Sequence, residues 1–397
     1  MQDDYGYTFL LMSRIFRSIG IIYITLSSSL YLASIGVRPE IIGIIFLGAI
    51  LFSSLLSLAL GMIGDRYGYK KVLIATEIIS SLAALVLAIS INNFLIFTGF
   101  IIGGVGGAAG GIRGVFSPGL TALVASNWRN EAERVRRLSL LMSAASFSGI
   151  GGSILLSLRS YINNSVEGYR ILYFVSFALL LASAISLLFV KEVKRPKKTS
   201  KVITKPSLKF ISKVIVSNSI TGFGLGIAIP LLPLWYKLAF HATSFEIGLI
   251  FTTSYLTTAI GSLLARKLRA EPLKVASITR ILNGIFLIAM AFSPWLPLAA
   301  GLYIARGLNA GIGSPNRSAV NVRGVSEEDF GTASSIQGMA TRFSQMSSGI
   351  SGYLLDLSLS LPLEIGGILQ AIGGYLYMRL LSGSRNVSEE SSKKVSF

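Results

Sequence analysis

The chain is 397 residues long, has no cysteine, and is 52% hydrophobic but only 14% charged, with a mean hydropathy of +0.67. Soluble domains are about a quarter charged, so a water-covered globular surface is excluded, as are disulfides, thiol nucleophiles and thiolate metal sites. The net charge of +18 is carried by particular loops rather than spread along the chain.

The start, Met1 to Tyr5, has no basic region and runs into an apolar stretch too long for a cleaved signal peptide. A membrane helix needs about 20 apolar residues, and such runs predict twelve spans, over 8–34, 40–62, 70–91, 94–124, 138–159, 168–190, 210–237, 244–266, 273–292, 296–320, 331–356 and 361–381. The runs are continuous, whereas the strands of a membrane barrel alternate. With the N-terminus in the cytoplasm, the inner loops and tail hold 26 of the 36 Lys and Arg, the outer loops hold Arg38, Arg159, Arg170 and Lys237, and six arginines lie within spans. That asymmetry places both termini in the cytoplasm.

Span 1 carries Arg14 and Arg17 on one face near its inner end. Between spans 2 and 3 stands Gly61-Met-Ile-Gly-Asp65-Arg66-Tyr-Gly68-Tyr-Lys70-Lys71, which fills the pattern G-x-x-x-D-R-x-G-x-K-K. This loop resembles the signature loop of the major facilitator superfamily of membrane transporters. The resemblance implies a latch that holds two halves together on the cytoplasmic side, with Asp65 beside the N-terminus of span 11, Arg66 steadying it and Gly68 permitting the turn. The alternative is a positive-inside loop with a chance Asp. Glu77, about two turns into span 3, joins Asp65 as a carboxylate to test for proton coupling.

Span 4 contains the glycine run 103–111, whose Gly104-Val-Gly106-Gly-Ala-Ala109 formally fits a dinucleotide fingerprint. No strand precedes it, so the run is read as close helix packing. Arg113 follows in the same span. In span 5, Ser146-Phe-Ser148-Gly149-Ile-Gly151-Gly152 resembles the superfamily's exporter signature but lacks its proline. The basic run from Lys191 is a linker over 191–209 between domains 1–190 and 210–397. Its charge suits anionic lipid head groups better than nucleic acid.

Beyond the linker the order of motifs returns. Tyr31, Ile42-Gly43 and Ser117-Pro118 are echoed by Trp235, Ile247-Gly248 and Ser314-Pro315, at offsets of about 196 to 205 residues. Two parallel six-helix halves are how the superfamily is built. The fold expected is an all-α polytopic membrane protein of twelve transmembrane helices in two pseudo-symmetric six-helix bundles.

Arg306 and Arg342 lie ten and eleven residues into spans 10 and 11. At about 1.5 Å per residue they sit near the bilayer midplane, where a charge marks a functional site by default. Both are candidate solute ligands, with Arg113 and, on the spans that form the cavity by resemblance, Tyr31, Asn218, Trp235, Asn309, Gln337 and Gln345. The alternative is that the arginines brace helices or snorkel to the surface. With no carboxylate opposing Arg306 and Arg342, a small anionic or electron-rich solute is expected, carried by alternating access. The competing reading is a broad-specificity proton-coupled exporter. The resemblance implies a monomer in the cell membrane with no cofactor and no metal. No phosphate-binding loop for a nucleotide-driven pump is present, and one His with few membrane acids argues against an intramembrane enzyme. His241 reads as solvated in an outer loop, and Asn163-Asn-Ser165 as a chance glycosylation pattern.

Overall fold

The computed structural model describes residues 5–104, 116–128, 131–162, 165–193, 205–325 and 330–382. Fifteen α-helices account for the twelve expected spans among these residues. They are α1 (Tyr7–Ser34), α2 (Pro39–Tyr67), α3 (Tyr69–Ile89), α4 (Asn93–Ile102), α5 (Phe116–Asn127), α6 (Glu131–Leu158), α7 (Ser165–Leu188), α8 (Lys205–Ala228), α9 (Leu232–Phe240), α10 (Ser244–Leu264), α11 (Pro272–Ala291), α12 (Leu296–Val322), α13 (Phe330–Ser344), α14 (Ser348–Leu357) and α15 (Leu361–Leu381). Eight are long and apolar enough to cross a membrane. Phe174, Leu181, Ile185 and Leu188 form an exposed stripe on α7, an apolar face suited to lipid rather than water.

Local chemistry sets the boundaries. α1 ends in a Schellman motif, with Gly36 at φ +85°, Gly36 N–H bonded to Ala33 O and Val37 N–H to Leu32 O. Asn92 caps α4 by accepting from Phe94 N–H at 2.8 Å. Pro39, Pro233, Pro272, Pro297 and Pro362 stand in the first turns of their helices, where a missing N–H costs nothing. Two spans expected to be continuous are broken. Pro230 separates α8 from α9, because proline cannot donate the next helical hydrogen bond. Span 11 tightens to a 3₁₀ turn over Gln345–Ser347, where Ser347 Oγ donates to Phe223 O at 2.6 Å and a Cβ on Gly226 would meet Gln345 O at 2.7 Å.

The chain divides into two compact units. Unit 1 comprises 1–198, 230–255 and 348–356; unit 2 comprises 199–229, 256–347 and 357–397. Neighbour relations repeat between them. In unit 1, α1 packs on α6 and α7, and α3 on α7; in unit 2, α8 packs on α13 and α15, and α11 on α15. These are the same pairs of spans, six apart in chain order. Each unit also has an apolar cluster built from matching positions, Leu10, Leu73 and Leu187 in the first and Ile211, Ala276 and Leu381 in the second.

Segments of the second repeat are built into unit 1. A Cβ on Gly43 would lie 3.0 Å from the backbone of Ser348 and Gly349, so α2 and α14 meet backbone to backbone. Thr252 Oγ1 donates to Ser153 Oγ at 2.8 Å, joining α10 to α6.

Candidate functional site

The signature loop is the last turn of α2 followed by one residue. α2 runs to Tyr67, so Asp65 and Arg66 are helical, and Gly68 makes the turn at φ +101°. That conformation belongs almost entirely to glycine. A second constraint acts at the same position, because a Cβ there would stand 2.6 Å from Glu192 Oε2. Glu192 follows α7 and caps α3, accepting from Tyr69 N–H at 2.7 Å and Lys70 N–H at 3.0 Å. A carboxylate on the first amides of a helix satisfies orphan donors and meets the positive end of the dipole. Lys70 Nζ donates to Leu188 O at 2.8 Å, Asn127 Nδ2 donates to Lys191 O at 2.8 Å and its Oδ1 accepts from Val193 N–H at 3.0 Å. The loop is thus tied to the exit of α7. Arg66 and Lys71 are exposed. Gly61 is in α2, but the side chain of Asp65 lies outside the described residues, as does all of Arg113.

Glu77 of α3 is fully buried and forms an ion pair with Arg17 of α1. The Arg17 guanidinium lies 4.6 Å from the centre of the Phe116 ring, and that of Arg14, one turn earlier, lies 5.7 Å from it. The Ser13 and Ser183 hydroxyls share a hydrogen bond of 2.8 Å beside them. Chain order marked Glu77 as a carboxylate about two turns into span 3. The fold buries it against the cations of α1.

Unit 2 repeats this α1–α3 contact with altered residues. Arg280 of α11 is buried, donates through Nη2 to Asn218 Oδ1 of α8 at 2.6 Å, and lies 4.0 Å from the Tyr377 ring centre. Tyr377 in turn donates to Asn321 Oδ1 at 2.6 Å. Arg280 stands 203 residues after Glu77, and Asn218 stands 201 after Arg17. The same junction therefore holds Arg–Glu in one repeat and Asn–Arg in the other. Spans 3 and 9 are thus related by the same offset of about 200 residues as the other repeated motifs.

Among the solute candidates, Arg306 is buried on α12, with its guanidinium 5.7 Å from the Tyr303 ring centre. It stands where α10 and α12 are zipped together. Thr257 and Thr258 donate to Ile304 O and Gly307 O at 3.0 Å, Ser262 donates to Gly311 O at 3.2 Å, and a Cβ on Gly311 would strike Thr258 O. Asn309 donates to Thr279 O at 2.7 Å and Asn283 Oδ1 at 2.8 Å, so its amide joins α12 to α11. Gln337 donates to Asn321 O at 3.0 Å. Arg342 is half-buried at the end of α13, with Gln345 in the turn that follows.

The other candidates lie elsewhere. Trp235 is buried on α9 between Tyr236 and Phe240, at 5.0 and 5.3 Å. Tyr31 belongs to a buried aromatic cluster in unit 1, edge-on to Tyr173 at 5.2 Å and to Tyr169 at 5.9 Å. Among the described residues no group of His, Asp and Glu could hold a metal ion.

Residues 9–218 and 214–396 each match the sequence profile of the Major Facilitator Superfamily, so the two halves of the chain are recognised separately. The chain belongs to the major facilitator superfamily. It is 23% identical over 236 residues to the Probable vesicular acetylcholine transporter-B of Danio rerio, covering 58% of this chain and 46% of that one. It is 25% identical over 270 residues to the multidrug resistance protein MdtG of Serratia proteamaculans (strain 568), covering 64% and 62%. The chain thus spans about half the length of these two curated relatives, 46% and 62%. A bacterial homologue of the human lysosomal transporter Spinster, in an inward-facing and occupied crystal structure, shares the fold with a TM-score of 0.73 at 13% identity, over 96% of this chain and 97% of that one. The twelve-helix, two-bundle architecture of the superfamily is therefore the fold of this multi-pass membrane protein.

Proposed function

We propose that this superfamily member is a secondary transporter that moves a small anionic or electron-rich solute by alternating access, with Arg306 as its principal ligand. The buried guanidinium of Arg306, about 15 Å along a membrane helix, is the observation that carries the reading. Its cost in a low-dielectric layer is several kcal/mol unless an anionic partner or a wet cavity offsets it. Arg342 is the second ligand. Asn309, Gln337 and Asn218, whose side chains are engaged in joining helices, position the wall rather than touch the solute. In this proposal the working domains are 1–190 and 210–397, joined by the basic segment 191–209. The protein is a cell-membrane monomer with both termini cytoplasmic, lipid is its surroundings, nucleic acid is no partner, and the Asp65 loop is the cytoplasmic latch.

A second reading, the proton-coupled exporter, is favoured by the buried Arg17–Glu77 pair. Protonating Glu77 would release Arg17 and loosen α1 from α3, which suits a coupling device. The resistance protein among the relatives supports a lipophilic organic solute in that case. The two readings separate in one experiment. The purified protein is screened by thermal shift against matched anionic, cationic and neutral solutes, since a ligand at about 100 times its Kd adds roughly 2.7 kcal/mol to the native state. Stabilisation by anions that disappears in Arg306→Ala supports the anion transporter. Stabilisation by lipophilic cations or neutral compounds that survives the substitution overturns it in favour of the exporter.

A further inference from the structure

Unit 1 contains a cavity of about 250 Å³ at the end where α1 terminates, opposite the Gly68 turn. Its wall includes Leu30 of α1, Arg159 of the short turn after α6, Tyr169 of α7, Lys237 of α9, and Thr243 and Ser244 at the start of α10. The cavity is built rather than incidental. The turn carrying Arg159 packs on α7, where a Cβ on Gly168 would stand 3.3 Å from Ile162 Cβ and in ordinary contact with Arg159 Cγ at 3.4 Å. The guanidinium lies 4.9 Å from the Tyr169 ring centre, a stacking that fixes its plane. The Tyr169 and Ser244 hydroxyls share a hydrogen bond of 3.2 Å, and Ser157 Oγ donates to Phe245 O at 3.4 Å, holding α6 against the first turn of α10.

The charge here is unusual for this side of the chain. Arg159 and Lys237 are two of the four basic residues in the loops opposite the basic face, yet both line one cavity, and Arg159 acts electrostatically on Lys237. Neither forms an ion pair among the described residues, and the Arg159 Nε is buried without a hydrogen-bond partner. The nearby carboxylate, Glu246, is not among the lining residues and is held in the capping box of α10, accepting from Thr243 N–H and Oγ1, both at 2.8 Å. Two cations beside the Tyr169–Ser244 hydroxyl pair, which keeps one hydrogen to donate, form a concavity that attracts negative charge. A planar guanidinium fork favours an oxyanion over a halide.

We propose that this cavity is an anion site, separate from the solute site at Arg306, that takes a tetrahedral phosphate-type oxyanion between Arg159 and Lys237. The bound group bridges the turn after α6 to the turn before α10, two segments from different repeats that unit 1 already joins. Where the protein works by alternating access, as proposed above, the anion favours the arrangement in which these ends are together. The binding itself does not depend on that reading. The source of the oxyanion is a free ion or the phosphate of a lipid head group.

The test uses the full chain in detergent, at constant ionic strength with gluconate as the balancing anion. Inorganic phosphate should stabilise the protein saturably in thermal shift. Loss of one charge-assisted contact should weaken its apparent affinity about tenfold or more in Arg159→Gln and in Lys237→Gln. Arg159→Lys should retain part of the effect. Lys237 is half-exposed, so its substitution serves should Arg159→Gln fail to fold. In nanodiscs, a free-ion site responds to phosphate equally in neutral and anionic lipid; a lipid site is stabilised by phosphatidic acid, with added phosphate then having no further effect. Absence of saturable stabilisation by either source, or equal responses of wild type, Arg159→Gln and Lys237→Gln, overturns the proposal. A solute screen that fails at Arg306 while phosphate binding persists removes the transport reading alone.

Discussion

Replacing Arg17 with Gln leaves Glu77 as a buried carboxylate without its ion-pair partner. The two side chains are 7% and 0% exposed, so water cannot substitute for the lost guanidinium. Breaking a buried pair from one side costs about 3–5 kcal/mol. Arg14 lies one turn away and also acts on Glu77, so it takes up part of the charge and places Arg17→Gln near the lower end, at about 3 kcal/mol. Glu77→Gln is the harsher change, because it leaves Arg14 and Arg17 buried together against Phe116, and belongs near the upper end of about 5 kcal/mol. The double variant Arg17→Gln/Glu77→Gln removes both charges of the pair while leaving Arg14 buried beside it, so it should lose less than the two single changes together. Thermal unfolding of the four purified proteins forms a double-mutant cycle. Wild type should have the highest melting temperature, Glu77→Gln should lose more than Arg17→Gln, and the double variant should lose less than the sum of the two. A double variant whose loss equals the sum of the singles, or an Arg17→Gln protein as stable as wild type, refutes the pairing as an energetic contact.

Gly68→Ala should destabilise by about 1–3 kcal/mol, because it forces a side chain into a strained backbone region and into the Glu192 carboxylate. Glu192→Ala should cost about 1 kcal/mol as a lost cap, and in the Gly68→Ala background much less, since that substitution already displaces the carboxylate; additive losses in thermal shift would show that the two act independently. Gly311→Val should lower stability by about 1–3 kcal/mol through overpacking of α10 against α12, whereas Gly301→Val, where a Cβ meets nothing within 4 Å, should be close to neutral; similar melting temperatures for the two would remove the close approach as a cause. Asp65→Asn should slow solute flux in proteoliposomes while ligand binding by thermal shift is retained; unchanged turnover removes the latch.

Much of the fold was legible because a membrane helix announces itself by length and composition. The expected spans over 296–320 and 361–381 correspond to α12 and α15 with ends within two residues. Hydropathy is blind to breaks inside an apolar run, so α8 and α9 read as one span although Pro230 stood between them, and the 3₁₀ turn over Gln345–Ser347 had no local marker. The Gly68 turn was readable from its motif. Its partner Glu192 was not, because the contact spans 123 residues and the acid sits in an otherwise basic segment. Arg17 and Glu77 were visible as charges, but pairing them needed the α1–α3 junction. Asn309 and Gln337 were placed on the right helices as solute ligands, yet side-chain direction cannot be read from hydropathy, and the fold uses both between helices. Arg306 was marked by depth alone, and the fold buries it.

Alternating access requires that the two ends of the molecule change separation in opposite senses. The absence of cysteine allows spin labels to be placed by single substitutions. Pulsed electron–electron resonance is measured on Arg136→Cys/Arg269→Cys, in loops the charge pattern predicts to be cytoplasmic, and on Tyr161→Cys/Phe292→Cys, in loops it predicts on the other face, all at exposed positions. On saturation with a solute identified by the thermal screen, the distance distribution should lengthen for one pair and shorten for the other, and Arg306→Ala should abolish the response. Distributions that stay fixed at both ends, or lengthen together, would contradict a transporter built on this fold.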